Sequence, residues 1–321
     1  MALHLVTGGA GFIGSHLAER LLADGHDVRV LDDFSSGKEA NLDFAPPAKG
    51  GRLEVMRGDV SDEEAARRAV SGVACVYHQA AIPSVPRSID NPAATHRANA
   101  TGTLNLLIAA RDAKVSRFVY ASSSSVYGDT PTLPKVESMT PAPLSPYAIS
   151  KLSAEHYARV FHRIYGLPTI GLRYFNIFGP RQDPTSQYAA VVPRFITAIA
   201  AGRAPVIYGD GEQTRDFNYV GNAVEANLRA AACSDSAFGM TFNVACGARI
   251  SLLDLVDRIN GIFGTRVVPV HEESRPGDVK HSLADISLAG KHLGWRPATG
   301  LDEGLKKTAD WFARTTPRET K

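Results

Sequence analysis

Through the first half of the chain, short apolar runs alternate with stretches in which apolar residues recur every three or four positions. The runs LHLVT (3–7), DVRVLD (27–32), LEVMR (53–57), ACVYH (74–78), RFVYA (117–121) and TIGLR (169–173) are rich in β-branched and aromatic residues and predict strands. Between the first two, Ile13, Leu17 and Leu21 line one face of a helix starting at about Phe12, and Gly25 supplies its C-terminal stop. Ser61 and Glu64 in SDEE stand at capping-box spacing and predict the start of a further helix. The stretch LSPYAISKLSAEHYARVFHRIYG has Pro146 in its first turn and Gly166 at its end, which predicts one helix of about twenty residues. Strands alternating with helices in this order predict βαβ units and an α/β fold on a parallel sheet.

Beyond residue 175 the pattern loosens. FNIFGPRQDPTSQ and IYGDGEQTRD are rich in turn formers, and helical periodicity returns at about 189–201, 222–232, 252–263 and 301–314. Such a section covers the carboxyl ends of a parallel sheet and furnishes a pocket there. The expected division is a first unit over 1–175, with a returning segment at about 213–245, and a smaller interleaved α/β unit over 176–212 and 246–321. The chain shows no internal repeat and no low-complexity segment.

Composition narrows the class. With 321 residues, 44% of them hydrophobic and 21% charged, the chain reads as a globular enzyme or binding module. The net charge of +2 comes with no long Lys/Arg run, which argues against a general nucleic-acid surface, so any anion site is local. Cys75, Cys233 and Cys246 are odd in number and lack CxxC spacing, and the ten histidines form no HExxH motif. A disulfide framework and a metal site are therefore not expected, and a reducing compartment is. No apolar run approaches membrane-spanning length and MALHLVTGG leads straight into a strand, so the expectation is cytoplasm with no membrane partner.

The candidate chemistry starts at TGGAGFIG (7–14), which follows the first strand and opens the first helix. Gly9, Gly11 and Gly14 match G-x-G-x-x-G, while Gly8, Gly11 and Gly14 give a wider spacing. Glycine permits the tight turn, the backbone approach to a pyrophosphate and close helix–strand packing. Asp32 and Asp33 end the second strand, where an acid accepts from a ribose hydroxyl and repels a 2′-phosphate, favouring NAD over NADP. Strand, glycines, helix and acid together predict a Rossmann-type, doubly wound sheet. Asp59 in RGDV is a candidate for an adenine contact, although by itself an aspartate there more often makes a turn.

YASSSSVYG (120–128) ends another strand at the same edge, and Tyr147 and Lys151 follow four residues apart on one helical face. Read alone, the serines are ordinary turn chemistry and the pair ordinary surface. Together they offer a hydroxyl, a phenol and an ammonium, the last able to lower the phenol's pKa. At this point the chain resembles an extended short-chain dehydrogenase/reductase, specifically a nucleotide-sugar 4-epimerase. The resemblance rests on TGGAGFIG, Asp32, SSSSVYG, Tyr147-x-x-x-Lys151, RYFNIFGPRQDP (173–184), GDGEQTRDF (209–217) and RPGD (275–278), which span almost the whole chain.

The resemblance implies that Tyr147 removes the sugar O4 proton while hydride passes from C4 to a tightly held NAD, regenerated in each turnover. It implies that Ser123 shares the hydrogen bond to O4, with neighbouring Ser124 competing for that role, and that Lys151 holds the nicotinamide ribose and depresses the tyrosine pKa. Other cofactor contacts implied are Phe12, Ile13, Ser35, Ser36 and Gly37 near the glycine loop, and Asp59, Val60, Ala80 and Ala81 beyond it. Asn99, Ser122 and Tyr174 complete that set. For Phe12, Val60 and Ala80, packing alone explains the residue as well. On the substrate side it implies Arg215 and Arg275 at the diphosphate, Asn176 as a polar contact, Asp278 at the ribose and Tyr208 at the uracil. Ser84, Val191 and Val192 line the same path.

In relatives restricted to UDP-glucose and UDP-galactose, the place four after the RPGD aspartate tends to hold a tyrosine. Here it is Ser282, which leaves room for an N-acetyl group at the sugar C2. The expected substrates are UDP-N-acetylglucosamine and UDP-N-acetylgalactosamine, with the plain hexoses also accepted. A strict UDP-glucose 4-epimerase and a UDP-glucuronate 4-epimerase are the alternatives, the latter requiring a cationic partner for the sugar carboxylate. Sugar-nucleotide 4,6-dehydratases carry an Asp-Glu pair where this chain has Ser124 and Ser125, and the UDP-glucuronate decarboxylases' glutamate is missing too. A non-catalytic NAD-binding module would show erosion of Tyr147, Lys151 or the serines, all of which are intact. The resemblance also implies a homodimer formed through helices at about 92–112 and 145–165.

Overall fold

Each predicted apolar run forms a strand, and the helices between them return the chain to the starting edge. The computed structural model describes residues 2–44, 49–185, 189–273 and 279–315. Its first part runs β1 (Leu3–Thr7), α1 (Phe12–Ala23), β2 (Asp27–Asp32), β3 (Leu53–Arg57), α2 (Glu63–Val70), β4 (Cys75–His78), α3 (Val85–Asp90), α4 (Pro92–His96), α5 (Gly102–Asp112), β5 (Arg117–Ser123), α6 (Pro146–Tyr165) and β6 (Thr169–Tyr174). The second runs β7 (Ile177–Phe178), α7 (Val191–Ala200), β8 (Val206–Tyr208), β9 (Thr214–Arg215), β10 (Asn218–Tyr219), α8 (Val220–Ala231), β11 (Thr241–Val244), β12 (Ile250–Ser251), α9 (Leu252–Phe263), β13 (Val270–Glu272), α10 (Ser287–Leu293) and α11 (Leu301–Thr315).

Seven strands form one parallel sheet in the order β11-β6-β5-β4-β1-β2-β3. The chain moves outward from β1 to β3 and then crosses back to β4, so the sheet reverses direction between β1 and β4. A crevice opens at the carboxyl ends of such a switch point. The stretch Phe118–Ala121 of β5 is buried throughout, which is why its sequence reads as a continuous apolar run. On one face, Leu17 and Leu21 of α1 pack with Val224 and Ala230 of α8. On the other, Ala66 of α2, Leu106 and Leu107 of α5 and Phe161 of α6 pack together. Each such fully buried large side chain contributes roughly 1.5–3 kcal/mol.

A separate core joins α7, α9 and α11 through Ile196, Ile199, Leu255, Leu305 and Phe312. By contrast α10 and Trp295 return to the α1 side of the sheet, where the Trp295 indole donates to the Asn222 carbonyl at 3.1 Å.

Three local features depart from the sequence pattern. The seventh strand, β11, has only four residues and takes its place by pairing with β6. The cap of α2 is Asp62 rather than Ser61, its carboxylate accepting from the Glu64 and Ala65 amides at 2.8 and 3.3 Å. An anion at that place gains from the helix dipole as well as from the two amides, so the Ser61–Glu64 box loses to it. The helix expected over 92–112 is divided by a π turn at Arg97–Thr101, which turns Asn99 into the protein. Among the described residues, no helix is long and apolar enough to cross a membrane.

Candidate active site

The glycine loop lies at the switch point and its geometry requires glycine. Gly8 has a φ of 65°, and a Cβ on Gly14 would lie 2.1 Å from the Gly8 carbonyl oxygen. No larger residue fits at that crossing of strand and helix. Helix α1 begins after Gly11 with no side-chain cap, so its first amides face the crevice unmatched, a ready-made site for a pyrophosphate. Phe12 and Ile13 form its first turn. Asp32, at the end of β2, is buried; its carboxylate accepts from the Ala10 amide at 2.9 Å and the Phe34 amide at 2.8 Å. Burial raises its pKa, and those two amides oppose the rise. The residues present therefore fit a dinucleotide: open amides for the phosphates, and a fixed acid for the ribose.

The neighbouring cofactor candidates divide. Gly37 packs against Asp32, where a Cβ would meet Oδ1 at 2.8 Å, and Asp33 is turned to the Ser35 amide and hydroxyl. Ser36 is exposed. Asp59 is exposed and accepts from the Ser61 amide at 2.7 Å, the geometry of a turn. Val60 is buried against Gly102, and Ala80 and Ala81 follow β4 at the crevice, half-buried. The Tyr174 hydroxyl is engaged by Gln79 at 3.1 Å and Asn227 at 2.6 Å, which fixes its ring.

The structure brings Ser123, Tyr147 and Lys151 together where β5 meets the start of α6. Ser145 caps that helix by accepting from the Ala148 amide, with Pro146 in the first turn, so Tyr147 is held in the first turn and Lys151 one turn on. Burial raises the Tyr147 pKa, and hydrogen bonding with the Ser123 hydroxyl opposes the rise. The Lys151 ammonium is buried and donates to the Ala121 carbonyl at 2.9 Å, and burial pushes its pKa down to about 8. Ser123 also accepts from the Ser125 amide and hydroxyl at 3.2 and 2.9 Å, while Ser124 lines the adjoining cavity.

Behind this group runs a continuous line of hydrogen bonds. Thr7 meets His78 at 2.7 Å, His78 meets Thr103 at 2.9 Å, and Thr103 donates to the Asn99 carbonyl at 2.6 Å. Asn99 donates to Ser150 at 3.0 Å, and Ser150 donates to the Tyr147 carbonyl at 2.7 Å. Burial, with the Lys151 charge adding to it, holds the His78 pKa down to about 3, so the imidazole is neutral and serves as a link.

One cavity adjoins this group, and a second adjoins the first. The first, of about 170 Å³, is lined by Ser124, Ser125, Lys135, Asn176, Arg215 and Ser282 among others. The other, of about 230 Å³, is lined by Asn176, Val191, Val192, Arg194, Tyr208 and Arg215 among others. Each is smaller than the ~300 Å³ at the low end of ligand pockets, and they share Asn176 and Arg215, which suits the two ends of one extended ligand. Asn176 is held at a φ of 33°, donating to the Asp216 carbonyl at 3.2 Å. Ser84 caps the short helix α3 beside this wall, accepting from the Arg87 amide at 3.2 Å. Arg275 and Asp278 lie outside the described residues.

Several participants were not singled out in the sequence. Arg194 sits three residues after Val191 on α7, its guanidinium 5.7 Å from the Tyr208 ring centre, and that helical spacing was the available signal. Asp216 is fully buried and ties the Cys246, Gly247 and Ala284 amides together under the wall, its pKa pushed up to about 6 by burial against those bonds. Glu155 continues the Tyr147–Lys151 spacing by one more turn and is buried behind them. Among the described residues, no group of His, Cys, Asp or Glu is placed to hold a metal ion.

Comparison with known proteins agrees with this geometry. Residues 5–308 match the family model described as GDP-mannose 4,6 dehydratase. The UDP-glucose 4-epimerase of Mycolicibacterium smegmatis is 40% identical over 315 residues, covering 96% of this chain and 97% of that protein. The solved UDP-N-acetylglucosamine 4-epimerase from Methanobrevibacter ruminantium, in complex with UDP-N-acetylmuramic acid, superposes with a TM-score of 0.91 at 39% identity, covering 98% of each chain. The Thermus thermophilus UDP-glucose 4-epimerase in complex with NAD gives a TM-score of 0.85 at 35% identity, covering 98% of this chain and 99% of that one. The glycine loop, the Tyr147–Lys151 helix and these whole-length matches place the chain in the GDP-mannose 4,6-dehydratase family, as an NAD-dependent nucleotide-sugar 4-epimerase of the extended short-chain dehydrogenase/reductase type.

Proposed function

We propose that the chain interconverts UDP-N-acetylglucosamine and UDP-N-acetylgalactosamine at C4, and that it also turns over UDP-glucose and UDP-galactose. NAD, when bound, supplies the acceptor for the C4 hydride and the donor that returns it. Tyr147 takes the O4 proton, with Ser123 as its hydrogen-bonding neighbour, and hands the proton back when the transient 4-keto sugar has turned over. Lys151, held one turn away by the Ala121 carbonyl, would bind the cofactor ribose, and its ammonium balances a phenolate that burial alone disfavours. Arg215 and Asn176, at the junction of the two cavities, suit the diphosphate, and Tyr208 suits the uracil face. Ser124 and Ser125 offer hydroxyls and no acid for the elimination of water, which sets the chain apart from dehydratases.

The observation that carries the choice of sugar is Ser282 on the wall of the cavity that also holds Ser124 and Ser125. A small side chain there leaves volume for a C2 N-acetyl group. The test is incubation of the pure protein with UDP-N-acetylglucosamine, without added reductant, followed by separation of the epimers. Formation of the galacto epimer is expected, and absence of any epimer despite bound NAD would sink the reading. Tyr147→Phe should lower turnover by roughly 10²–10⁴-fold while retaining NAD; a variant with full turnover would refute the assigned base.

A second reading has one observation in its favour. Lys135 lines the same cavity, almost wholly buried, its ammonium bonded to the Thr130 carbonyl and hydroxyl. A cation there suits a C6 carboxylate, as in UDP-glucuronate. Competition between UDP-glucuronate and UDP-N-acetylglucosamine separates the two, and preferential turnover of the acid would favour the second.

The working form is a homodimer. Ile149, Tyr157, Val160 and Ile164 leave an apolar stripe along one face of α6, with Ile164 67% exposed. A second copy of the same helix covers such a stripe by two-fold packing. Val160→Lys should yield monomers in equilibrium sedimentation; an unchanged mass would refute this interface.

A further inference from the structure

Tyr147, Lys151 and Glu155 succeed one another at four-residue spacing on a single face of α6. Three consecutive residues of β5 meet that face. The Ala121 carbonyl takes the Lys151 ammonium, the Ser122 hydroxyl donates to Glu155 Oε1 at 2.5 Å, and Ser123 is the neighbour of the Tyr147 phenol. The same carboxylate is gripped on its other side by Arg173 of β6, Nε to Oε1 at 2.9 Å and Nη2 to Oε2 at 2.7 Å. Glu155 is 1% exposed and Arg173 3%. The Arg173 guanidinium lies 4.6 Å from the centre of the Tyr127 ring, and Tyr127 closes the turn that begins after Ser123, with its own hydroxyl donating to Asn243 at 2.7 Å.

A fully buried ion pair is weak evidence for stability, because desolvating two charges costs about as much as their attraction returns. Apolar residues of similar volume would fill the space as well. What such residues cannot do is fix direction, whereas a bidentate fork and a charge-assisted hydroxyl bond set angles and register. Here they fix α6, β5, β6 and the serine turn to one point, directly behind the three groups that need mutual alignment.

We propose that Glu155, Arg173 and Ser122 form a positioning unit for the epimerase chemistry, holding the end of β5 in register with α6 so that Ser123 and Tyr147 share one substrate hydroxyl. None of the three reaches the substrate in this role: the Ser122 hydroxyl, which the family resemblance offers to the cofactor, is bonded to Glu155 instead, and the inference rests on the epimerase reading above. It predicts that loosening the unit lowers kcat and leaves substrate and cofactor binding intact, because Arg215, Tyr208 and the glycine loop are held by other elements.

The test compares turnover of UDP-N-acetylglucosamine and UDP-glucose by NAD-loaded wild type, Ser122→Ala and Ser122→Thr. Ser122→Ala cuts only the strand-to-helix bond and leaves the Glu155–Arg173 pair intact. Its kcat should fall about tenfold with KM and NAD content unchanged, and Ser122→Thr, which keeps the hydroxyl, should recover most of it. The double variant Glu155→Leu/Arg173→Met replaces both charges with apolar groups, should fold, and should show a larger loss of kcat. Unaltered turnover in Ser122→Ala or in the double variant overturns the inference. So does a Ser122→Ala protein that loses folding or NAD in step with its turnover. An inactive wild type would instead overturn the epimerase reading itself.

Discussion

Replacing Lys151 by Met tests whether its ammonium is carried at a cost to the fold. The side chain is buried, its hydrogen-bond partner among the described residues is the Ala121 carbonyl, and burial takes its pKa from 10.5 to about 8. In the unfolded chain the amine regains its ordinary value, so between pH 8 and 10.5 the unfolded state binds more protons than the folded one. Stability contributed by this group therefore rises with pH across that window: below pH 8 the fold carries a buried charge, and above it the charge is gone. Between pH 7 and pH 10, the wild type should gain on the order of 2–3 kcal/mol relative to Lys151→Met, at about 1.36 kcal/mol per pH unit of full protonation difference. Methionine also leaves the Ala121 carbonyl without its donor, an effect of about 1–3 kcal/mol, but that loss is the same at both pH values and cancels in the comparison. Tyr147 and His78 also titrate differently in the folded and unfolded chains, but both are present in wild type and variant, so their contributions cancel in the comparison. The assay is urea unfolding of NAD-stripped wild type and variant at the two pH values. A stability difference that does not move with pH, or that moves in favour of the variant as pH rises, refutes the claim that burial of this ammonium is uncompensated.

Two further substitutions test the cavities and the loop. Ser282→Tyr fills the wall of the smaller cavity and should lower kcat/KM for UDP-N-acetylglucosamine by at least about tenfold, while UDP-glucose changes by less than about threefold; equal effects on the two sugars would refute the gatekeeper. Gly14→Ala places a methyl 2.1 Å from the Gly8 carbonyl oxygen, so the loop must spread. The purified variant should carry little NAD by absorbance and should unfold at lower temperature, and full NAD occupancy would show that the close approach is dispensable.

What the sequence made legible follows the range over which each signal acts. Six strands, the long helix α6 and the glycine loop depend on residues close in the chain, and their patterns were sufficient. Strand β11 is four residues long and exists because β6 offers it a partner, a fact no local window contains. The cap of α2 failed at one-residue resolution, where Ser61 and Asp62 both suit the role and the side chain with two amides in reach prevails. Glu155 stood in plain view at the spacing of Tyr147 and Lys151, yet its meaning needed Ser122 and Arg173 from two other strands. Arg275 and Asp278 rest on their motif alone, outside the described residues.

The segment that bears Ser282 is stitched in place by main-chain atoms. The Ser282 amide donates to the Thr214 carbonyl at 3.1 Å, the Lys135 amide to the Leu283 carbonyl at 2.8 Å, and the Asp285 amide to the Lys135 carbonyl at 2.9 Å. None of these bonds consults the identity of residue 282. Its side chain is thus a replaceable fitting in a fixed frame, 131 residues beyond Lys151 along the chain. On the proposed reading, a new sugar preference, natural or laboratory, needs a single letter changed there while the residues assigned to the proton and hydride chemistry stay untouched.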